Sequence, residues 1–433
     1  MPVASSGAID LDEFHVEAGG STGSSCSIND ADIRALIDKS DGATMAFNEW
    51  YGATASLDQD SGSVTAFGAT SSNLKHTTAT FDSNSNKVVI VYRLSNKGYA
   101  VVGTPAEDLS ITFGTPVQFD STSLQYGGFF DVTFDSNSNK VVVVYGLGNT
   151  SSYGGRAIVG TVSGTGISFG SPTNFASSGA DNQINCVFDS NSNKVVVCWT
   201  NAGSSSAGTA IVGTVSGTNI SFGSAATWGF ASANIAPVFD SNSNKVVVFA
   251  EDTSGSDVVK AVVGTVSGTG ISFGTPAQVS SSVINASSYR VGAVFDSNSN
   301  KCVYFYADAS DSNKGKAVVG TVSGTDISFG NVSTFDSGAT NYLSRLGSFD
   351  TNVNKVVYAY SVVAVVNSAN VNRTRVVVGT VSGTGISFGT PADLDSYGAQ
   401  YTSSTFDSNL NKVIVAFKGN GNEGRAVVFQ NAT

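Results

Sequence analysis

The sequence predicts an all-β chain: a seven-bladed β-propeller of four-stranded antiparallel blades, closed by an N-terminal strand. Three observations predict it. The heptapeptide FDSNSNK begins at Phe81, Phe134, Phe188, Phe239 and Phe295, then returns as FDTNVNK at Phe349 and FDSNLNK at Phe406, one copy every 51 to 57 residues. A fixed period of this length is the mark of propellers and related arrays. Each copy sits among the same four β-patterns, so a unit is a four-stranded blade. Finally, the seventh unit stops at Thr433 after its third strand, RAVVFQ, while SVTAFGATSSN at Ser63 to Asn73 looks like a displaced ISFG strand with no blade of its own. The N-terminal piece is expected to pair beside Arg425 to Gln430, completing the last blade and removing the exposed edges that an open solenoid would leave.

Each element has a local reason. The first strand of a unit ends in Phe-Asp, and the Asp-x-Asn-x-Asn that follows suits a hairpin whose short polar side chains bond nearby backbone. The same spacing, Asp82, Asn84 and Asn86 in the first copy, resembles the start of a calcium loop. The glycine at position six and the closing bidentate acid are missing, so turns are expected and no metal. The second strand, Lys140 to Tyr145 for example, is a continuous β-branched run, which requires burial on both faces. The third strand leads into TVSGTxISFG, which begins at Thr161, Thr214, Thr265, Thr321 and Thr380, with a looser TPAEDLSITFG from Thr104. The last residue of SGTx is Gly166, Asn219, Gly270, Asp326 or Gly385, residue types that predict a left-handed backbone there.

Composition narrows the function. The 433 residues are 41% hydrophobic and 13% charged, enough apolar material for a core between many turns. A net charge of −11 with no Lys/Arg run gives phosphate-backbone binding no basis, so nucleic acid is not an expected partner. The N-terminus lacks the basic and apolar regions of a secretory signal, and no run approaches a membrane span. Synthesis and assembly in a cytoplasm are therefore expected. Cys26, Cys186, Cys198 and Cys302 have no CxxC spacing, and the two histidines, His15 and His76, are far apart in sequence. Neither a disulfide framework nor a histidine-based catalytic or metal centre is expected. Paired carboxylates such as Glu251, Asp252, Asp308 and Asp311 read as solvated loop charge, and no cofactor motif is present.

Residues 1–58 do not share the repeat, which occupies 59–433. In this N-terminal segment Ser27 to Ile37 reads as one short helix capped by Asn29, with Ile33, Leu36 and Ile37 on one face. Phe47, Trp50 and Tyr51 add an apolar cluster. A helix this short must pack on something, either the propeller or another protein. These six residues are the attachment candidates.

In an antiparallel blade, successive connections alternate ends. One end of every unit carries FDSNSNK and SGTG, nearly uniform; the other carries connections that differ in length and content. These are Gly146 to Gly155, Glu251 to Val259 and Ser361 to Thr374 between second and third strands, and Val117 to Asp131, Ala225 to Ala236 and Val332 to Leu346 between units. Recognition is expected at the varied end. Its candidate contact residues are Tyr126, Phe129, Phe130, Trp228, Phe230, Tyr289, Arg290, Tyr342, Arg345, Tyr397 and Tyr401.

The succession SSGAIDLDEFHVEAGG, CSINDADIRALI and FNEWYGA resembles the N-terminal segment of structural proteins of tailed bacteriophages, especially those infecting marine cyanobacteria. The FDSNSNKVVVVY…AIVGTVSGTGISFG array is similarly frequent in virion proteins of such phages. The resemblance spans essentially the whole chain and carries no catalytic set. It implies a non-enzymatic tail, fibre or baseplate component of the virion, attached to other virion proteins through residues 1–58. The propeller would be presented to a host-surface glycan or protein, and a homo-oligomer on the particle fits such a role. Two alternatives stay open: an internal virion scaffold subunit without receptor binding, and a propeller glycosidase or lectin.

Overall fold

The computed structural model describes residues 59–433 except 69–73, 125–129, 149–153, 256, 285–290, 345, 367–368, 396–399, 420 and 432–433. The attachment candidates Ile33, Leu36, Ile37, Phe47, Trp50 and Tyr51 lie outside the described residues. Ser61–Gln430 form one compact unit. Apart from two three-residue 3-10 turns, the regular structure among the described residues is β, its strands paired antiparallel, with one isolated parallel bridge between Ala293 and Leu346.

The repeat is a four-stranded sheet. In the first copy Leu74–Asp82, Lys87–Leu94 and Lys97–Pro105 pair in chain order, and a fourth strand in two pieces, Ile111–Phe113 and Val117–Asp120, pairs with the third. The order recurs through the chain. Twice, the fourth strand runs on without a break into the next unit's first strand, at Ala226–Asp240 and Ser333–Leu343, which joins neighbouring units into nine- and ten-stranded sheets. The expected inter-unit loops Ala225 to Ala236 and Val332 to Leu346 are therefore largely strand. The described residues of the expected loop Ser361 to Thr374 are strand as well, paired from Val356↔Gly379 out to Val366↔Ala369. Continuing the ladder satisfies the backbone groups of these segments better than a loop would.

The continuous apolar runs have the burial they require. Val141, Val143 and Tyr145 pack with Val89 and Val91 of the preceding unit. Val142 and Val144 point the other way, against Val195 and Val197 of the following one. Alternation along a strand thus serves two interfaces at once. Seven such clusters are present among the described residues. The one containing Ile90, Tyr92, Ile414 and Val428 joins the seventh unit to the first.

The N-terminal strand Thr65–Phe67 pairs with Gly424–Gln430 through Thr65↔Ala426, Ala66↔Arg425 and Phe67↔Gly424, as expected for that part of Ser63 to Asn73. Residues 69–73 lie outside the description. The expected alignment with ISFG is shifted, however. The Gly62 N–H donates to the Val428 carbonyl at 2.9 Å, as Gly114 does to Val102 and Gly170 to Val159. Gly62 is thus the counterpart of the ISFG glycine, and Phe67 the counterpart of Phe119, Phe175 and Phe335. Each of those rings lies over a third-strand glycine, and Phe67 lies over Gly424, where a Cβ would sit 2.3 Å from the ring.

The hairpins behave as the residue types require, with one correction. Asp82 Oδ1 accepts the N–H groups of Asn84 and Ser85 at 2.9 and 3.1 Å. The same Asx turn recurs at Asp135, Asp189, Asp240, Asp296, Asp350 and Asp407. The closing asparagine, Asn86 and its six equivalents, takes positive φ. In SGTx the left-handed residue is the glycine at Gly164, Gly217, Gly268, Gly324 and Gly383, with φ from +59° to +65°, and not the residue two places later. Ser163 pairs with Gly166, so the turn has two central residues with glycine first, the arrangement that matches strand twist.

Candidate recognition site

First strands from all seven units border one cavity of about 390 Å³. Its lining includes Thr80, Thr133, Phe188, Phe239, Phe295, Ser348 and Phe406. The strands touch in succession, and Leu74–Asp82 of the first unit also touches Gln400–Asp407 of the seventh. The phenylalanines belong to the heptapeptides, so this cavity lies toward the uniform end.

Leu346 borders this cavity and also a smaller one of about 30 Å³ toward the varied end. The smaller cavity is bounded by His76, Thr78, Phe130, Leu343, Tyr401 and Thr402, among others. These residues come from the sixth, seventh, first and second units, so the cavity lies where first strands converge. The His76 and Tyr401 rings are 4.4 Å apart, and Phe130 meets His76 edge-on at 6.1 Å. Lys418 lies 6.0 Å from the Tyr401 ring centre and donates to Gln400 Oε1 at 3.1 Å. Burial, and then the neighbouring Lys75, hold the Lys418 ammonium below its ordinary range. Beneath the cavity Asp131 is buried, accepting from Thr78 Oγ1 at 2.8 Å and from the Cys186 N–H at 3.0 Å, which ties three first strands together.

Several expected contact residues are instead core. Trp228 is 2% exposed, covers Gly208 and donates its indole N–H to Ser232 Oγ at 2.8 Å. It stands six residues after the ISFG phenylalanine, the place held by Phe119, Phe175 and Phe335 elsewhere, and that periodicity is the signal that marks it as core. Phe230 packs edge-on to Trp228 with Lys260 over its ring, and Phe130 is buried between the first and second units. Tyr401 is half-buried and does border a cavity. Tyr342 pairs with Ser361 within a strand. Tyr126, Phe129, Tyr289, Arg290, Arg345 and Tyr397 lie outside the described residues.

The carboxylates are also less exposed than their sequence context implies. Glu251, Asp252 and Asp308 end second strands and are buried; Asp311 alone of the four is half-buried. Asp308 caps a turn, and Asp252 pairs with Lys260. Burial raises the Glu251 carboxyl above the ordinary carboxylate range despite the 2.6 Å hydrogen bond from Asn234 Nδ2. Between units, Asp120 accepts from Tyr145 Oη and Arg156 Nη1, and Asp336 accepts from Tyr360 Oη and Arg375 Nη1. Burial alone would raise the Asp120 carboxyl, but these hydrogen bonds with those of Thr122 outweigh it and hold it low. Such carboxylates lock one unit to the next. Among the described residues no group of three or more His, Cys, Asp or Glu side chains could hold a metal.

No family model and no curated protein matches the chain. Its fold is similar to that of a triple arginine-to-alanine mutant of AofleA from Arthrobotrys oligospora, over 79% of this chain and 93% of that one, at 10% identity and a TM-score of 0.50. AofleA itself is similar over 72% of this chain and 85% of that one, at 10% identity and a TM-score of 0.47. At this identity the likeness concerns the fold alone.

Proposed function

We propose that the chain is a seven-bladed propeller serving as a non-enzymatic structural protein of a tailed-phage virion, attached through residues 1–58 and presenting its varied end to the host surface. The observation that carries the reading is the asymmetry of the repeat. Seven Asx-turn hairpins make one end of the units nearly identical, whereas the other end keeps individual connections on the same buried framework. A rigid core under one diversified surface is the arrangement of a recognition module. Pairing of Thr65–Phe67 with the last strand and the cluster joining units seven and one support closure. The phage assignment rests on the sequence resemblance.

Purified full-length protein, added in excess, is expected to block adsorption of the phage to its host, and antibody labelling should place the protein on the tail. Labelling on the tail without any block of adsorption would favour an internal scaffold.

A further inference from the structure

In the first strand of four units, the position five residues before the heptapeptide phenylalanine departs from regular β-structure. It is His76 in the first unit, Gln183 in the third, Asn234 in the fourth and Tyr401 in the seventh, with φ of +52°, +59°, +47° and +55°. The ladder register shifts at each: between Lys75 and Thr77, Asn182 and Asn185, Ala233 and Ala236, and Gln400 and Ser403. Glycine adopts this backbone freely, and other residues adopt it at a cost. Four different non-glycine side chains are nevertheless held there, in a repeat that uses glycine for its SGTx turns. Bulges re-aim side chains, and strain retained at one recurring position points to a use for those side chains.

Two of the four, His76 and Tyr401, stack beside the small cavity at the varied end. Its volume has room for one or two water-sized groups. Thr402 lies in its wall, 4% exposed, and its Oγ1 has no hydrogen-bond partner among the described residues. A buried hydroxyl left unsatisfied is costly and invites a polar group from outside. A ring for stacking, beside an unfilled hydroxyl site, is complementary to a sugar: an apolar ring face with hydroxyls at its edge.

We infer that this cavity is a saccharide site, in which the ring of one sugar residue lies on Tyr401, held in place from behind by the buried His76, and a hydroxyl enters the cavity to bond Thr402. The inference rests on the reading of the varied end as a recognition surface. It names the ligand class and the place on that surface.

Saturation-transfer NMR of the full-length protein with free galactose, N-acetylglucosamine and glucuronic acid tests it, alongside His76→Gly, Tyr401→Gly and Thr402→Val. Transfer to at least one sugar is expected, weakened about tenfold or more in each variant, as for residues at the centre of a site. Glycine suits the left-handed backbone, so the glycine variants should melt no lower than the matching alanine variants, which separates lost binding from lost folding. Absence of transfer to all three sugars, or transfer unchanged in the variants, overturns the site. Blocking of phage adsorption that persists in all three variants would leave the varied end as the recognition surface and remove this cavity from it. Loss of blocking after protease treatment of the host cells, but not after periodate, would assign recognition to a protein and overturn the saccharide. Failure of even the unaltered protein to block adsorption would remove the underlying reading.

Discussion

The two ends of the units solve the same problem of chain reversal differently. At the heptapeptide end, one carboxylate per unit accepts two backbone N–H groups and an asparagine takes the left-handed step, so seven near-identical sequences close seven near-identical turns. At the other end there is no common turn. The chain continues as strand through Ala226–Asp240, pairs Lys355–Val366 with Ala369–Ser382 over their length, or brings Leu346 against both cavities. The difference teaches that sequence variety is not the same as exposure. Trp228 sits in a variable stretch and still belongs to the core, because its spacing from ISFG places it over Gly208.

The largest expected effect tests that distinction. Trp228→Ala and Phe67→Ala should each cost about 3–5 kcal/mol in chemical denaturation, since each empties a site beneath a large buried ring. A loss below about 1 kcal/mol for Trp228→Ala would return that residue to the surface and weaken the contrast between ends. Phe67→Ala should in addition loosen the pairing of the N-terminal strand, read as faster hydrogen exchange at Gly424–Gln430.

A smaller effect is expected at the uniform end. Asp189→Ala removes the acceptor for the Asn191 and Ser192 N–H groups and for Ser192 Oγ, and should cost about 1–3 kcal/mol. Melting temperature followed with and without added calcium checks the turn reading. Stabilisation of the unaltered protein by calcium, lost in Asp189→Ala, would make these loops metal sites and the uniform end more than a set of turns.

The smallest effect concerns Glu251, buried near the varied end. Its folded carboxyl is raised above the ordinary range, so the unfolded chain ionises first as pH rises. Stability is therefore greatest where the group is protonated in both states and falls as pH climbs toward the folded value. Glu251→Gln keeps an acceptor for Asn234 and removes the charge. Its melting temperature should exceed that of the unaltered protein at neutral pH, and the gain should vanish in acid. An equal gain at all pH values would show that the burial of charge is not the cause.

Much of this was legible from residues alone. Seven Phe-Asp-x-Asn-x-Asn copies, the continuous runs such as Val141 to Tyr145 and the orphan strand before Leu74 settle the unit, its four strands and the pairing of chain ends, because turn chemistry and alternation are local properties. The register of the orphan strand, Gly62 for the ISFG glycine and Phe67 for Phe119, was not legible, because only packing over Gly424 distinguishes it from the shifted alignment. The candidate site was legible least. The variation of His76, Gln183, Asn234 and Tyr401 at one repeat position can be read in the sequence once units are aligned, but their left-handed backbone cannot. Nor can the meeting of His76 with Tyr401, 325 positions apart in sequence, since it depends on first strands from opposite ends of the chain converging on one cavity. Local chemistry determined the blade-like unit; convergence of those units in space decided which side chains share a site.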